Sequence, residues 1–110
     1  MATGVKTRVK LPKQVRAGEV VTIKTLITHR MESGHRLDSD NQPIPRSIIH
    51  RFLCEFEGEL VIDLDIGPGI STNPFFEFQA LVPGPGVFTF IWFDDDGAIY
   101  TDSRAISVMS

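Results

Sequence analysis

The sequence predicts an all-β antiparallel sandwich, and three observations carry that expectation. No stretch of a dozen residues shows helical periodicity. About seven short runs, alternating or β-branched, fill the chain of 110 residues. Between them lie turn signals built from glycine, proline and Asp-Gly. Seven strands at this length fit an immunoglobulin-like antiparallel β-sandwich, with a small barrel as the competitor.

The strands follow in order. "VKTRVKL" (5–11) alternates Val5, Thr7, Val9 and Leu11 with Lys6, Arg8 and Lys10, so one face is solvated. "RAGE" (16–19) reads as a turn, and the β-branched run "VVTIKTLIT" (20–28) follows it. "IIHRFLCEFEGELVIDLDI" (48–66) reads as two strands joined near Glu57-Gly58. "PFFEFQALV" (74–82) and "GVFTFIWFDDD" (86–96) flank "PGPG" (83–86), and a hairpin at Asp96-Gly97 leads into "AIYTDSRAISVM" (98–109). Two long irregular stretches remain, 29–47 and 66–74; in a sandwich, loops of this length are where recognition resides.

Composition bounds the function. With 42% hydrophobic and 23% charged residues, the chain is expected to form a single domain over 1–110 with one core. The net charge of −3, read with no concentrated basic face, argues against nucleic acid. No apolar run reaches the roughly 20 residues that span a bilayer, so no membrane insertion is expected. The N-terminal "MATGVKTRVK" has no apolar core of a secretory signal, which by itself points to the cytoplasm.

Four chemical candidates are weighed. In "THRMESGHR" (28–36), His29, Glu32 and His35 are spaced three and three with Gly34 between. Helical zinc pairs want i,i+4, so a charged contact loop is the better reading. Cys54 and His50 are a nucleophile pair in principle. Alternation, however, puts His50, Phe52, Cys54 and Phe56 on one face, where a free cysteine is a small inert hydrophobe. Asp94, Asp95 and Asp96 before Gly97 lack the spacing of a calcium loop and read as a turn. "GPGIS" (67–71) and "PGPG" alternate proline with glycine and open no helix, so neither cradles phosphate. No catalytic residue, cofactor or metal is assigned.

The aromatics are more informative. "FTFIWF" puts Phe88, Phe90 and Trp92 on one face and Ile91 and Phe93 on the other, and "PFFEF" (74–78) is apolar on both. Either another chain covers the outer face, or an inner strand is partly capped by a loop. Together these features favour a binding or structural subunit over an enzyme.

Four segments carry a resemblance through nearly the whole chain: "GEVVTIKTLITHRMESGHR" (18–36), "IPRSIIHRFLCEFEGELV" (44–61), "STNPFFEFQA" (71–80) and "FIWFDDDGAIYTD" (90–102). In this order and spacing they resemble the SoxZ family of sulfur-oxidation proteins. The resemblance implies an immunoglobulin-like sandwich that forms a heterodimer with SoxY, the pair being the carrier of thiosulfate oxidation. SoxY holds sulfur intermediates on a cysteine in its C-terminal tail and visits other Sox enzymes, which contact the pair transiently. It further implies that the SoxZ-type subunit is not itself an enzyme. It also shifts the expected compartment to the periplasm, reached together with a signal-bearing partner. Expected partner contacts are His29, Arg30, Met31, Glu32 and Arg46 in the loop, and Phe75, Phe76, Phe90 and Trp92 on the aromatic strands. Self-association into a homodimer is open when SoxY is absent. The alternatives are a stand-alone immunoglobulin-like binding module and a small metal enzyme built on the histidine loop.

Overall fold

Alternation of inward and outward side chains sets the strands, and the computed structural model shows them in residues 5–29, 31–67 and 73–109, the residues it describes. Eight strands occur: β1 (Thr7–Lys10), β2 (Gln14–Arg16), β3 (Glu19–Ile27), β4 (Ile49–Phe56), β5 (Glu59–Asp65), β6 (Phe75–Val82), β7 (Gly86–Asp94) and β8 (Ile99–Met109). They form a three-stranded sheet in the order β1-β3-β6 and a five-stranded sheet in the order β2-β8-β7-β4-β5. The all-β sandwich is therefore as expected. One strand exceeds the sequence reading: β2 pairs parallel with β8, Val15 opposite Val108, and its Val15 is buried. Three residues are too few to show alternation, and the partner lies at the far end of the chain.

The inward positions of both sheets interdigitate. Val21, Ile23, Thr25 and Ile27 of β3 are buried every second residue, as are Phe88, Phe90 and Trp92 of β7. Phe52 is the hub. Its ring lies 5.3 Å from Phe76, 6.1 Å from Phe78 and 5.2 Å from Trp92. Aromatic contacts at such spacings each add about 0.5–1.5 kcal/mol beyond the area they bury.

The β4–β5 hairpin turns on Glu57 (φ 50°) and Gly58 (φ 83°), both left-handed as a two-residue turn of this kind requires. Glu57 is an uncommon residue at such a φ, and it is held from outside. Its amide donates to the Val87 carbonyl (3.1 Å), and its carboxylate accepts from the Val87 amide (2.8 Å). Gly86 makes room for this: a Cβ there would stand 2.6 Å from Glu57 Cγ and 2.7 Å from Phe56 Cζ.

Candidate functional site

The long 28–48 loop and the β7–β8 turn meet at one end of the sandwich, joined by His29 and Asp94. His29 continues the inward phase of Ile23, Thr25 and Ile27, and Asp94 continues that of Phe90 and Trp92, so both side chains enter the interior. Both are almost wholly buried, at 2% and 0% exposure, and His29 Nε2 lies 2.7 Å from Asp94 Oδ2. The Met31 amide donates to His29 Nδ1 (3.0 Å), which fixes the proton on Nε2, where it is donated to Asp94. The Tyr100 hydroxyl approaches the same oxygen at 3.5 Å; burial, then the Asp94 charge, raises its pKa.

Backbone contacts complete the knot. The His29 amide donates to Asn73 Oδ1 and the Asn73 amide to the His29 carbonyl, both at 2.9 Å. Met31 takes a left-handed φ of 58° and is buried, its sulfur 3.2 Å from the Ile49 amide. With both imidazole nitrogens engaged and no solvent access, His29 cannot exchange protons with a substrate. Its role is to tie the loop to the turn. The sequence did hold a signal for this pair, since extending each strand's alternation by one step sends a histidine and an aspartate inward. A buried carboxylate then needs a donor.

Asp95 organises the outer layer of the same end. Arg46 clasps it with two hydrogen bonds, at 2.8 and 2.9 Å, and the Ile48 amide donates to it at 3.1 Å. His50 Nδ1 lies 3.3 Å from its other oxygen. Hydrogen bonding from Arg46 leads the causes that hold the Asp95 carboxyl below the usual range. The loop folds back on itself through reciprocal Glu32–Ser47 backbone bonds, each 2.8 Å, while Arg36 pairs with Glu32 at the surface. Gly34, at φ 88°, lets the loop pass Arg46 closely, where a Cβ would stand 3.2 Å from Arg46 Cβ. Asp94 and Asp95 thus do more than form a turn, while Asp96 serves the turn by accepting from the Ala98 amide at 2.8 Å.

Each expected contact residue now has a place. Arg46 lies at the surface of the loop end, while Glu32 is mostly buried beneath Arg36. Arg30 lies outside the described residues. His29 and Met31 do not face outward as a recognition loop would require, because strand phase and the Asp94 bond draw them in. Phe90 and Trp92 are likewise fully buried, and Phe76 packs on Phe52; these three face the core of this chain instead of a partner. Phe75 is 55% exposed. It sits on the three-stranded sheet and "FIWF" on the five-stranded one, so the outward sides of the two stretches point in opposite directions. One surface cannot cover both.

The outward residues of β7 and β8 form the other notable surface. Val87, Thr89, Ile91 and Phe93 lie opposite Ala105, Ser103, Thr101 and Ile99, and none of the eight is charged. Beside them on β4, Leu53 extends the row, and Arg51 lies over Phe93 at 5.4 Å while binding Asp63 through two bonds.

The chain's one cysteine faces neither surface. Cys54 is fully buried between Phe52 and Phe56 on the inward face, and burial pushes its thiol up to about 12. Among the described residues no three metal-ligating side chains converge.

The comparisons agree with this architecture. In solved structures the fold recurs in a superoxide reductase (neelaredoxin) T24K from Ignicoccus hospitalis, with TM-score 0.74, 16% identity and coverage of 94% of this chain and 79% of that one. It recurs in the sulfur carrier protein SoxY from Chlorobium limicola f thiosulfatophilum, with TM-score 0.65, 12% identity and coverage of 97% and 76%. A CARDB domain from Pyrococcus furiosus matches with TM-score 0.57, 10% identity and coverage of 96% and 94%. At such identities these likenesses concern the fold. No curated protein sequence matches the chain. The family described as "Sulphur oxidation protein SoxZ" matches residues 9–105, nearly the whole chain. The protein belongs to the SoxZ family.

Proposed function

We propose that this chain is the non-catalytic subunit of a sulfur carrier, pairing one-to-one with a SoxY-type protein whose C-terminal cysteine holds the sulfur intermediates. The observation that carries the reading is the uncharged outer face of β7 and β8 in a chain of the SoxZ family. Val87, Ile91, Phe93 and Ile99 give this uncharged face an apolar stripe suited to a covering partner. Burial of Cys54 supports the division of labour, since the thiol here is neither accessible nor ionised and the carrier cysteine must be the partner's. The paired loop end, with Arg36 and Arg46 at the surface, is suited to brief polar contacts with the enzymes that the carrier visits. The pair works in the periplasm, where this subunit arrives folded onto a signal-bearing partner.

Co-expression with the SoxY-type partner, followed by native mass spectrometry of the periplasmic fraction, tests the reading. A one-to-one complex with sulfur adducts on the partner and none on Cys54 is expected. A lone chain, or an adduct on Cys54, overturns it.

A further inference from the structure

We propose that the outer surface of β1 and β3 is a docking groove for an extended acidic peptide segment carrying an apolar side chain. The proposal goes beyond the pairing described above and does not rest on it. Residues 5–24 hold six Lys and Arg against one acid, Glu19, an excess of five positive charges in a chain of net charge −3. The remainder therefore carries −8. Pairing of β1 with β3 brings three of these, Arg8, Lys10 and Lys24, onto one face, with Glu77 opposite Lys24, while Arg16 belongs to the other sheet.

A cleft of about 350 Å³ lies on this face, with Leu26 and Phe75 on its floor and Arg8, Lys10 and Lys24 on its rim. A second hollow of about 300 Å³ shares Lys10 and Lys24 and continues the groove to Pro12. Among the described residues Arg8 and Lys10 have no carboxylate partner, and Lys24 reaches only Glu77, at 3.9 Å. Register makes the arrangement more pointed, because Lys10 stands directly opposite Lys24 across the β1–β3 ladder. Like charges in that position disfavour the sheet. Glu77, opposite Lys24 on β6, offsets only one of the two, and an anionic ligand would relieve the pair.

The chemistry of the occupant follows from the spacing. Arg8 and Lys10 sit two residues apart on one face of a strand, roughly 7 Å, which is the repeat of alternate side chains in an extended peptide. Thr7 of β1 donates to Asp102 of β8 at 2.9 Å, so the free edge of β1 is covered by the other sheet and the peptide would lie across the outer face. Alternating carboxylates on such a peptide would meet Arg8 and Lys10, with an aromatic or aliphatic side chain between Leu26 and Phe75. A small hydrated anion would make no use of that apolar floor. A nucleic acid would meet the remaining charge of −8 and a single exposed aromatic, Phe75.

Fluorescence anisotropy with the full chain and a fluorescein-labelled peptide of alternating glutamate and leucine, one leucine replaced by phenylalanine, tests the proposal. Saturable binding is expected, weakened more than about tenfold by the double variant Arg8→Glu/Lys10→Glu and by 0.5 M salt, as screened charge pairs require. Phe75→Ser should weaken it as well, while Leu60→Ser, an exposed leucine elsewhere, should not. Circular dichroism confirms that each variant is folded. Equal binding of a glutamine-for-glutamate peptide overturns the proposal, as does undiminished binding to the double variant. It is also overturned if an oligouridylate or phosphatidylglycerol vesicles bind as tightly as the peptide. The double variant should still form the one-to-one complex with the SoxY-type partner. Loss of that complex without any peptide binding to the parent chain places the partner on this face and ends the proposal.

Discussion

The two outer faces of the sandwich are built on opposite terms. On the five-stranded sheet, β7 and β8 turn eight uncharged side chains outward; the charges beside them lie on β4, where Glu55 stands opposite Thr89 and Arg51, opposite Phe93, is bound to Asp63. On the three-stranded sheet, Arg8, Lys10 and Lys24 stand out over an apolar floor, and two of them face one another. Both faces back onto the same mostly apolar core, so the core does not explain the difference. Apolar faces bind by area and shape with little dependence on salt. Charged faces steer encounters and respond steeply to ionic strength. One molecule therefore has one face suited to lasting contact and another suited to passing contact.

That contrast can be broken by moving charge across it. The largest effect is expected from Ile91→Lys with Phe93→Lys, which sets two cations where a partner would exclude water. Pairing with a SoxY-type protein should fall at least about hundredfold, the equivalent of ~3 kcal/mol, by native mass spectrometry or analytical ultracentrifugation. Unchanged pairing would move the interface elsewhere.

Next in size is the buried end pair, which tests whether the loop is anchored independently of either face. Asp94→Ala leaves the His29 Nε2–H unanswered in the interior, and chemical denaturation should show a loss of about 2–4 kcal/mol. A loss below about 0.5 kcal/mol would mean that the loop end holds without it.

Gly86→Ala sharpens the comparison at the other end. The new methyl group meets Phe56 Cζ and Glu57 Cγ, and the hairpin should lose roughly 1–2 kcal/mol while both outer faces keep their partners. Full stability would mean that Phe56 and Glu57 move aside freely.

The smallest effect concerns pH. The carboxyls of Asp63 and Asp95 are held below the ordinary range, chiefly by hydrogen bonds from Arg51 and Arg46. A depressed folded pKa contributes stability above the unfolded value and loses it as pH falls through the folded one. Melting temperature should therefore decline modestly on acidification below about pH 4, and Arg46→Ala should blunt that decline. An identical acid profile in the variant would sink the assignment.

Much of this was legible in the sequence because strand alternation is local. "HRFLCEFE" places Cys54 among phenylalanines on the inward face, whereas "FTFIWF" sorts its side chains into two faces without saying which turns inward, and Phe90 and Trp92, expected at a partner, lie in the core. Glu57-Gly58 and Asp96-Gly97 mark their turns. What escaped notice depends on pairing between distant residues. The His29–Asp94 bond spans 65 positions, so an apparently polar loop histidine is in fact interior. The aromatic strands were grouped as one surface because nothing in "PFFEF" or "FIWF" says which sheet each joins. The basic face was missed because net charge averages over the whole chain. Only the pairing of β1 with β3 brings Lys10 beside Lys24.

Cys54 has one last consequence. A thiol sealed in the core is deaf to its surroundings: oxidants, persulfides and disulfides pass without finding it. The shape of this chain should thus be the same in a reducing cytosol and an oxidising compartment. In a family of sulfur-oxidation proteins, that silence places any covalent sulfur chemistry off this thiol.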